Sequence, residues 1–529
     1  MAMIKMHCKK GKSCIKSVLI VLLWLLAFVA TIYVINPHFI DAYIVPRWLA
    51  FGILYSLLFV ICSICQLRQC NIDDIKEYLY MCIVVISTIE SVRGVYGYIL
   101  YRYPINGCFD NVAGYASMQC ISIPFILYFC REKFHIAIRY SAWFVTLLAV
   151  CSLVLSQSRA GVLVSLAIIV IFLIISASHR MRISLICSCG ILFIAGVIFC
   201  LSVKGDSTEG RKFILNRSWE MIEDKPLFGF GIGGFKLHYM DYQAGYFASN
   251  EDSRHSILAD NINHPLNEYV KIIIEYGIMG LLCVISGVIL LYRYIEKKYH
   301  TIDLSLLLAL LSIALFAMFS YPLQYPHTWL ILSLPVFLAY IKGKTICKGR
   351  TVYHCFMLVL GVLIISVLSI RVHKELEWGD LYRNHQETER NELLYRYEKL
   401  YTYFKSNPYF LYNYAHILYQ SQEYDHALWI ANKCNEYWHD YNLEILRGDI
   451  YDSIGYKDYA IYTFINASHM CPNRFMPLHK LFRMALKQQD FELARFYAKA
   501  ILSKSIKVDS AEVRFIINEC YNYYHHNKL

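Results

Sequence analysis

Charge is scarce in this chain. Only 17% of its 529 residues are Asp, Glu, Lys or Arg, while 57% are apolar, and mean hydropathy is positive. That scarcity is the profile of a polytopic membrane protein, with apolar runs of about 20 residues recurring through the first 370 positions. Acidic residues are the rarer sign, 40 against 51 basic, for a net charge of +11. No small-residue cleavage pattern follows the first apolar run, which reads as a signal anchor behind Lys5, Lys9, Lys10, Lys12 and Lys16. Most of the nineteen cysteines sit inside apolar runs and read as small apolar residues, implying neither a disulfide framework nor a metal site.

The apolar runs predict roughly eleven membrane spans, near 15–35, 48–67, 78–100, 113–130, 139–156, 161–178, 183–203, 269–291, 303–321, 328–341 and 352–370. Alternate short loops are basic: Arg131, Lys133 and Arg139; Arg180 and Arg182; Arg293, Lys297 and Lys298; Lys342, Lys344, Lys348 and Arg350. The positive charge is therefore a matter of topology and not of nucleic-acid binding, and it sets the N-terminus in the cytoplasm. Two large segments then lie outside, the loop from Lys204 to Glu268 and everything after Arg371. The expected organisation is a membrane domain over 1–370, with an external loop at 204–268, and an external domain over 371–529.

Several external features carry an unexpected polar load. The stretch NINHPLNEYVKIIIEYGIMGLL, Asn261 to Leu282, places His264, Asn267, Lys271 and Glu275 at steps of three, four and four, which a helix would put on one face. Ionisable groups there are costly unless turned inward or toward water, so they mark a functional site. SQSRAG, Ser156 to Gly161, forms a tight hairpin at the external surface. Its Arg159 suits either bidentate pairing with a phosphate or snorkelling to lipid.

The external loop contains RKFILNRSWEMIED, Arg211 to Asp224, predicted as an amphipathic helix with Leu215, Trp219 and Ile222 on one stripe and Arg217 off it. The cluster GFGIGGF, Gly229 to Phe235, only superficially resembles a dinucleotide fingerprint, lacking the preceding strand and following helix, and reads as a flexible or sharply turned loop. Arg254 and His255 follow. In the third span, Glu90 and Arg93 lie three residues apart and suit either a buried ion pair or a functional role. After Arg371 a repeat near period 33 to 34 emerges, with Gly448, Tyr451, Ala460, Phe464, Ala467 and Pro472 in its fullest unit and Ala415, Ala427, Ala431, Ala494 and Ala498 in its neighbours. It fits a tetratricopeptide-like helical solenoid, a shape that usually holds a peptide or protein. The fold class is all-α throughout: a polytopic helical bundle followed by a helical-repeat solenoid.

Together these segments resemble a known family. SQSRAG, then R-x-W before K-P-L-F-G-x-G-x-G-x-F, then a histidine with N-E-Y and E-Y-G-x-x-G entering a span, is similar to the O-antigen ligase, O-antigen polymerase and O-oligosaccharyltransferase superfamily. The loop GCFDN at 107–111 resembles the family's Gly-x-Phe-x-Asn segment, so the likeness covers roughly 80–340. It implies a membrane glycosyltransferase moving glycans from an undecaprenyl-pyrophosphate carrier at the periplasmic face of the inner membrane. It implies that Arg159 and Arg217 engage the carrier pyrophosphate and that His264 is the catalytic histidine. Ser158, Asn267, Lys271, Arg254, His255 and Asn111 are the expected substrate-binding residues. The family usually has histidine directly before the asparagine, where Leu266 stands here, so His255 is the alternative to His264.

The residue types suit that chemistry. Two guanidiniums can stabilise a pyrophosphate leaving group without a metal, and a histidine can take the acceptor's proton, so metal independence and no cofactor are expected. Acceptors in contention are the lipid A core (ligase, favoured), the growing glycan (polymerase) and a protein hydroxyl (O-oligosaccharyltransferase). A polyprenyl-glycan transporter is the non-enzyme rival, but it should show polar residues through the mid-membrane, whereas ionisable groups here concentrate at the external face. A repeat scaffold without catalysis leaves the arginines and His264 without a purpose.

Overall fold

A helix apolar on every side is stable only in an interior. Val112–Tyr128 is such a helix, and every residue from Gly114 to Tyr128 is buried. Its few polar side chains are satisfied locally: Ser117 bonds the Gly114 carbonyl at 2.8 Å and meets His327 Nε2 at 2.9 Å, and Ser87 Oγ donates to Gln119 Oε1 at 2.7 Å.

This computed structural model describes residues 11–64, 72–102, 105–177, 205–250, 254–342 and 350–526. Among them are twenty α-helices and one short 3-10 helix, with no strand. The basic N-terminal residues Lys5, Lys9 and Lys10, the predicted span at 183–203, and the loop residues Arg180, Arg182, Lys344 and Lys348 lie outside the described residues. The chain divides into two compact units, Met1–Ser202 with Leu266–Glu268 and Val284–Asp380, and Val203–Pro265 with Tyr269–Cys283 and Leu381–Leu529. Most of the loop at 204–268 thus belongs to the same unit as the C-terminal helices.

In the first unit, α3 (Ile72–Tyr101), α5 (Ile136–Leu155), α6 (Arg159–Ser176) and the helix Leu304–Ala317 pack on α4, the buried helix just described, while α1 (Gly11–Tyr33) packs on α2 (Ile44–Ile64) and α3. Among the described residues, six helices are long and apolar enough to cross a membrane, and three predicted spans are shorter apolar helices: Ser17–Tyr33, Val112–Tyr128 and Leu304–Ala317. The predicted span at 328–341 lies in a helix of 17 residues, Pro326–Lys342. In Cys355–Arg383 only 6% of the apolar 18-residue window is buried, as in a helix facing hydrocarbon. The helix that contains it runs unbroken from Arg350 to Arg383, so the loss of hydropathy after Arg371 falls within a helix and not at its end.

The second unit holds α7 (Gly205–Asp224), α8 (Gly234–Ser249) and the Tyr269–Cys283 part of α9 (Glu268–Tyr299). Leu215 and Trp219 are 38% and 59% exposed, and the buried side of α7 is Phe213, Ile214, Ser218, Met221 and Ile222. Two expectations are corrected here. The glycine cluster is followed directly by a helix, α8, which begins at Gly234. Nor does one helix carry His264, Asn267, Lys271 and Glu275 on one face: α9 starts at Glu268, and Leu266 has a left-handed φ of 57°.

The helix α9 is itself broken. Gly277 sits at φ 68°, ψ −177°, a conformation open essentially to glycine alone. The freed backbone groups are taken up by the glycine loop. Phe230 N and Gly231 N donate to the carbonyls of Ile274 and Glu275, each at 2.8 Å, while Ile278 N and Met279 N donate to Pro226 O and Leu227 O at 2.9 and 3.3 Å. Of the flexible and sharply turned alternatives, the loop is thus the turned one, a four-bond splice into a helix break.

From Arg390 onward the second unit is a series of short helices, each packed on its sequence neighbour. Helix hairpins begin at Pro408, Tyr441 and Met476, steps of 33 and 35 residues. The turn of each hairpin carries a left-handed residue, Gln422 (φ 62°), Gly455 (φ 98°) and Gln489 (φ 60°), spaced by 33 and 34. Gly448 lies where an added Cβ would come within 2.5 Å of the Phe464 ring, so the small residue sets how closely that hairpin packs.

Replacing Gly277 tests the splice. A Cβ there would lie 2.0 Å from Leu227 O, whereas one at Gly287 in the same helix meets nothing within 4 Å. Gly277→Ala is expected to destabilise the protein by about 3 kcal/mol, with Gly287→Ala unchanged or slightly more stable, as read by thermal unfolding in detergent.

Candidate active site

The first unit holds Ser158, Arg159, Asn111 and Asn267. The SQSRAG hairpin turns through Gln157 at φ 58°, and Ser158 caps α6 by accepting from Gly161 N at 3.2 Å. Arg159 is the first residue of α6, half-buried, at the end where the helix dipole and free amides favour an anion. Asn111 is engaged by the fold. Its Oδ1 accepts from Gly114 N at 3.1 Å and from the Tyr325 hydroxyl at 2.9 Å, and its Nδ2 donates to Asp110 at 2.8 Å. Asn267 Nδ2 donates to Met318 O at 2.9 Å, and Glu268 accepts from Leu323 N at 3.1 Å.

Under the GCFDN loop lies a residue that sequence reasoning passed over. Arg47 is fully buried at the start of α2, donating to Val34 O at 3.2 Å and to Cys108 O, with its guanidinium 5.1 Å from the Phe109 ring centre. The signal was an arginine at the edge of an apolar run, hidden among loops that each hold about one basic residue. Glu90 is fully buried with Arg93 3.8 Å away, and an added Cβ on Gly107 would touch the Glu90 carboxylate at 2.5 Å. The loop from Gly107 to Asn111 therefore rests on buried Arg47 and buried Glu90, while Arg93 reaches Glu90 from an exposed position.

The second unit holds Arg217, Arg254, His255, His264 and Lys271. Arg217 points into an aromatic nest: its guanidinium is 4.3 Å from the Tyr246 ring centre and 5.7 Å from that of Phe213, and it pairs with Glu220 at 2.6 Å. Its Nε is buried without a hydrogen-bond partner. His255 stacks on the same Phe213, centroids 5.2 Å apart, and lies 6.5 Å from Tyr246. The structure thus brings Arg217 and His255 around one aromatic cluster, a grouping hidden at a sequence separation of 38 residues. Arg254 is exposed beside His255, and Lys271 is half-buried in the first turn of α9. Glu220 and Tyr246 are the partners sequence reasoning missed; Glu220 stands three residues after Arg217, the ordinary helical ion-pair spacing.

His264 is reached by a segment fastened to the C-terminal helices. Gln243 Nε2 donates to Asp260 O at 2.9 Å and to Met470 O at 2.6 Å, and Asn473 donates to Ala259 O. Asp260 pairs with Arg474 at 2.9 Å and Lys507 at 3.5 Å. Asn261 donates to Asp440 at 2.5 Å, and the Trp438 indole donates to Asn263 at 2.9 Å. Every residue from Ala259 to Asn263 except Ile262 is so pinned, and the pinning extends to the residue beside His264. Nearby, His439 bridges Asp241 on α8, at 2.5 Å, and Glu444, at 3.0 Å.

These features define a polytopic all-helical membrane protein with a second, helical unit, and with basic and histidine side chains gathered in the segments between α5 and α9. Residues 144–285 match the family model described as O-Antigen ligase. The family is one of membrane enzymes that transfer glycans in O-antigen and lipopolysaccharide-type processes. The matched segment contains Arg159, Arg217, His255 and His264 together. No curated protein matches the chain.

The bridge through His439 is pH-dependent. Burial alone would push its imidazole down, but hydrogen bonds to Asp241 and Glu444 outweigh that and hold it at about 9. A folded value above the unfolded one near 6.5 means the stabilisation is complete below pH ~6.5 and is lost as pH rises through about 9. Thermal stability is expected to fall across that window by an amount on the order of 3 kcal/mol, and His439→Gln should flatten this part of the profile.

Proposed function

We propose that the protein transfers a glycan from an undecaprenyl-pyrophosphate carrier to an acceptor hydroxyl at the periplasmic face of the inner membrane, and that the acceptor is the lipid A core. The observation that carries this reading is the O-antigen ligase match over 144–285, because one matched segment holds two arginines and the candidate histidines. The basic loops Arg131 to Arg139 and Arg293 to Lys298 support an orientation with Arg159, Arg217 and His264 outside.

In this reading the carrier pyrophosphate leaves as the acceptor oxygen attacks the first sugar carbon. Arg159 and Arg217 stabilise the charge that grows on the departing pyrophosphate, a task that needs guanidinium geometry and no metal. Arg217 rests against Glu220 and the Tyr246 ring, so a more highly charged pyrophosphate can exchange with a single carboxylate in its partner shell. His264 accepts the proton of the acceptor hydroxyl, with Asn267, Lys271, Ser158, Asn111, Arg254 and His255 contributing to substrate binding. The C-terminal helices act as a tetratricopeptide-like periplasmic domain.

A deletion strain separates the acceptors. Ligation to lipid A predicts loss of polymer from lipid A with carrier-linked polymer accumulating. Single repeat units on lipid A would instead indicate a polymerase, and unglycosylated proteins beside normal lipid-linked polymer a protein transferase. Within the site, Arg217→Ala, Arg159→Ala and His264→Ala are each expected to lower transfer at least ~100-fold with the protein still inserted. Arg217→Lys should not restore it, because an ammonium cannot pair in bidentate fashion. Normal transfer by the Arg217→Ala and His264→Ala variants would refute this site, and loss in His255→Ala alone would move the base to His255.

A further inference from the structure

The C-terminal helices enclose a cavity of about 530 Å³ that the proposed transfer chemistry does not use. Its walls come from separate stretches of the second unit. Tyr412 and Tyr419 come from the helix Pro408–Gln420, and Asn442 and Asp449 from the helix Tyr441–Ile454. Arg474 comes from the turn before Met476, and Asp260 from the pinned segment that leads to His264. Residues 507–516 close another side.

The lining selects a class of ligand. Its charges are of both signs: Asp260 pairs with Arg474 and Lys507, Asp449 pairs with Lys480 outside the lining at 2.7 Å, and Glu512 adds a third carboxylate. A free phosphate would want a surplus of cations, and the cavity does not offer one. A volume of about 530 Å³ lies within the range of pockets for compact ligands, not extended polypeptide. What remains is a ligand with an apolar face for tyrosine rings and a perimeter of hydroxyls for carboxylate, amide and guanidinium groups. A pyranose has both, with axial C–H bonds on its faces and hydroxyls at its edge.

We propose that this cavity is a saccharide-binding site that holds a few sugars of the glycan while its end is at the transferring residues. Asp260 connects the two places along the chain, being a wall of the cavity and the fourth residue before His264. The pinned segment between them gives the cavity a mechanical link to the candidate base. The site accounts for a glycan transferase keeping a helical-repeat unit whose hollow side is lined with tyrosine.

The identity of the sugar rests on the glycan-transfer reading, and the binding test does not depend on turnover. Full-length protein in detergent is mixed with the saccharide released by mild acid from the lipid-linked pool of the producing cells, and binding is followed by saturation-transfer NMR and calorimetry. Wild type is expected to bind. Tyr419→Ala and Asn442→Ala, at positions that line the cavity without being buried, are expected to bind at least tenfold more weakly with unchanged circular dichroism. Arg217→Ala should bind as wild type does. Absence of saccharide binding by wild type overturns the proposal, as does equal binding by the cavity variants. Binding of reduced, carboxymethylated α-lactalbumin in place of saccharide would overturn it in favour of a polypeptide site. Transfer that persists without cavity binding refutes this inference alone, while cavity binding in a protein that transfers nothing refutes the transferase reading and leaves the site standing.

Discussion

The arrangement of the second unit depends on four backbone hydrogen bonds between a glycine-rich loop and a helix that stops at Gly277. A helix interrupted in the middle leaves carbonyls on one side of the break and amides on the other, each costing several kcal/mol if buried without a partner. Here the carbonyls of Ile274 and Glu275 receive Phe230 N and Gly231 N, and the amides of Ile278 and Met279 reach Pro226 O and Leu227 O. The loop runs beside the break as a substitute turn. It can approach so closely only because two glycines remove the colliding atoms: a Cβ on Gly229 would lie 2.5 Å from Ile274 O, and one on Gly277 2.0 Å from Leu227 O. Discontinuous helices recur where proteins bind ions or polar substrates at membrane depth, because the break lets polar backbone and side chains stand where a continuous helix would present only apolar ones.

Two consequences follow for Arg217 and the segment before His264. Docking the loop fixes the end of α7, which terminates at Asp224 just before Lys225 and Pro226, and α7 carries Arg217. It also fixes the start of α8, on which Gln243 and Asp241 begin the bonds that run to Asp260, Met470 and His439. Arg217 and the approach to His264 are thereby referred to one splice, from opposite ends of the glycine loop. The C-terminal helices then hold the approach from the other side through Asp440, Trp438 and Arg474. Buried Asp440 is doubly used, capping its own helix through Asn442 N at 2.7 Å while receiving Asn261. A segment held by so many separate bonds has little conformational freedom left to lose.

Much of the fold was legible because it is written in short-range pattern. Long apolar runs make membrane helices, and the period of 33 to 34 in the C-terminal sequence returns in the structure as left-handed turn residues at Gln422, Gly455 and Gln489. Arg217 and Arg159 stood out by being charged where the surroundings were apolar or tightly turned. What was not legible depended on long-range bonding. The polar residues from His264 to Glu275 have helical spacing, yet Leu266 is left-handed and α9 begins only at Glu268, since Glu268 and Asn267 answer to Leu323 N and Met318 O, far along the chain. Leu215 and Trp219 have the spacing of an apolar stripe, and which side of α7 faces the protein is chosen by Phe247 and Tyr246 of α8 packing on Phe213.

Arg47 shows the same limit from the opposite side. In sequence it is a single basic residue at the head of an apolar run, indistinguishable from an arginine reaching for lipid headgroups. In the fold it is sealed under the loop from Gly107 to Asn111, with Nε and Nη2 donating to Val34 O and Cys108 O and its face on Phe109, while Nη1 is buried without a hydrogen-bond partner. A buried guanidinium is costly unless acceptors meet most of its donors, and carbonyls of an irregular loop are the acceptors least visible to periodicity. The loop in turn needs the charge, because carbonyls facing inward from a non-helical segment have no helical partner of their own. Arg159 and Arg47 are thus the same residue type near similar apolar runs with opposite assignments. One begins a helix whose free amides favour an anion, and the other is consumed by the fold, a difference set by what each backbone neighbour leaves unsatisfied.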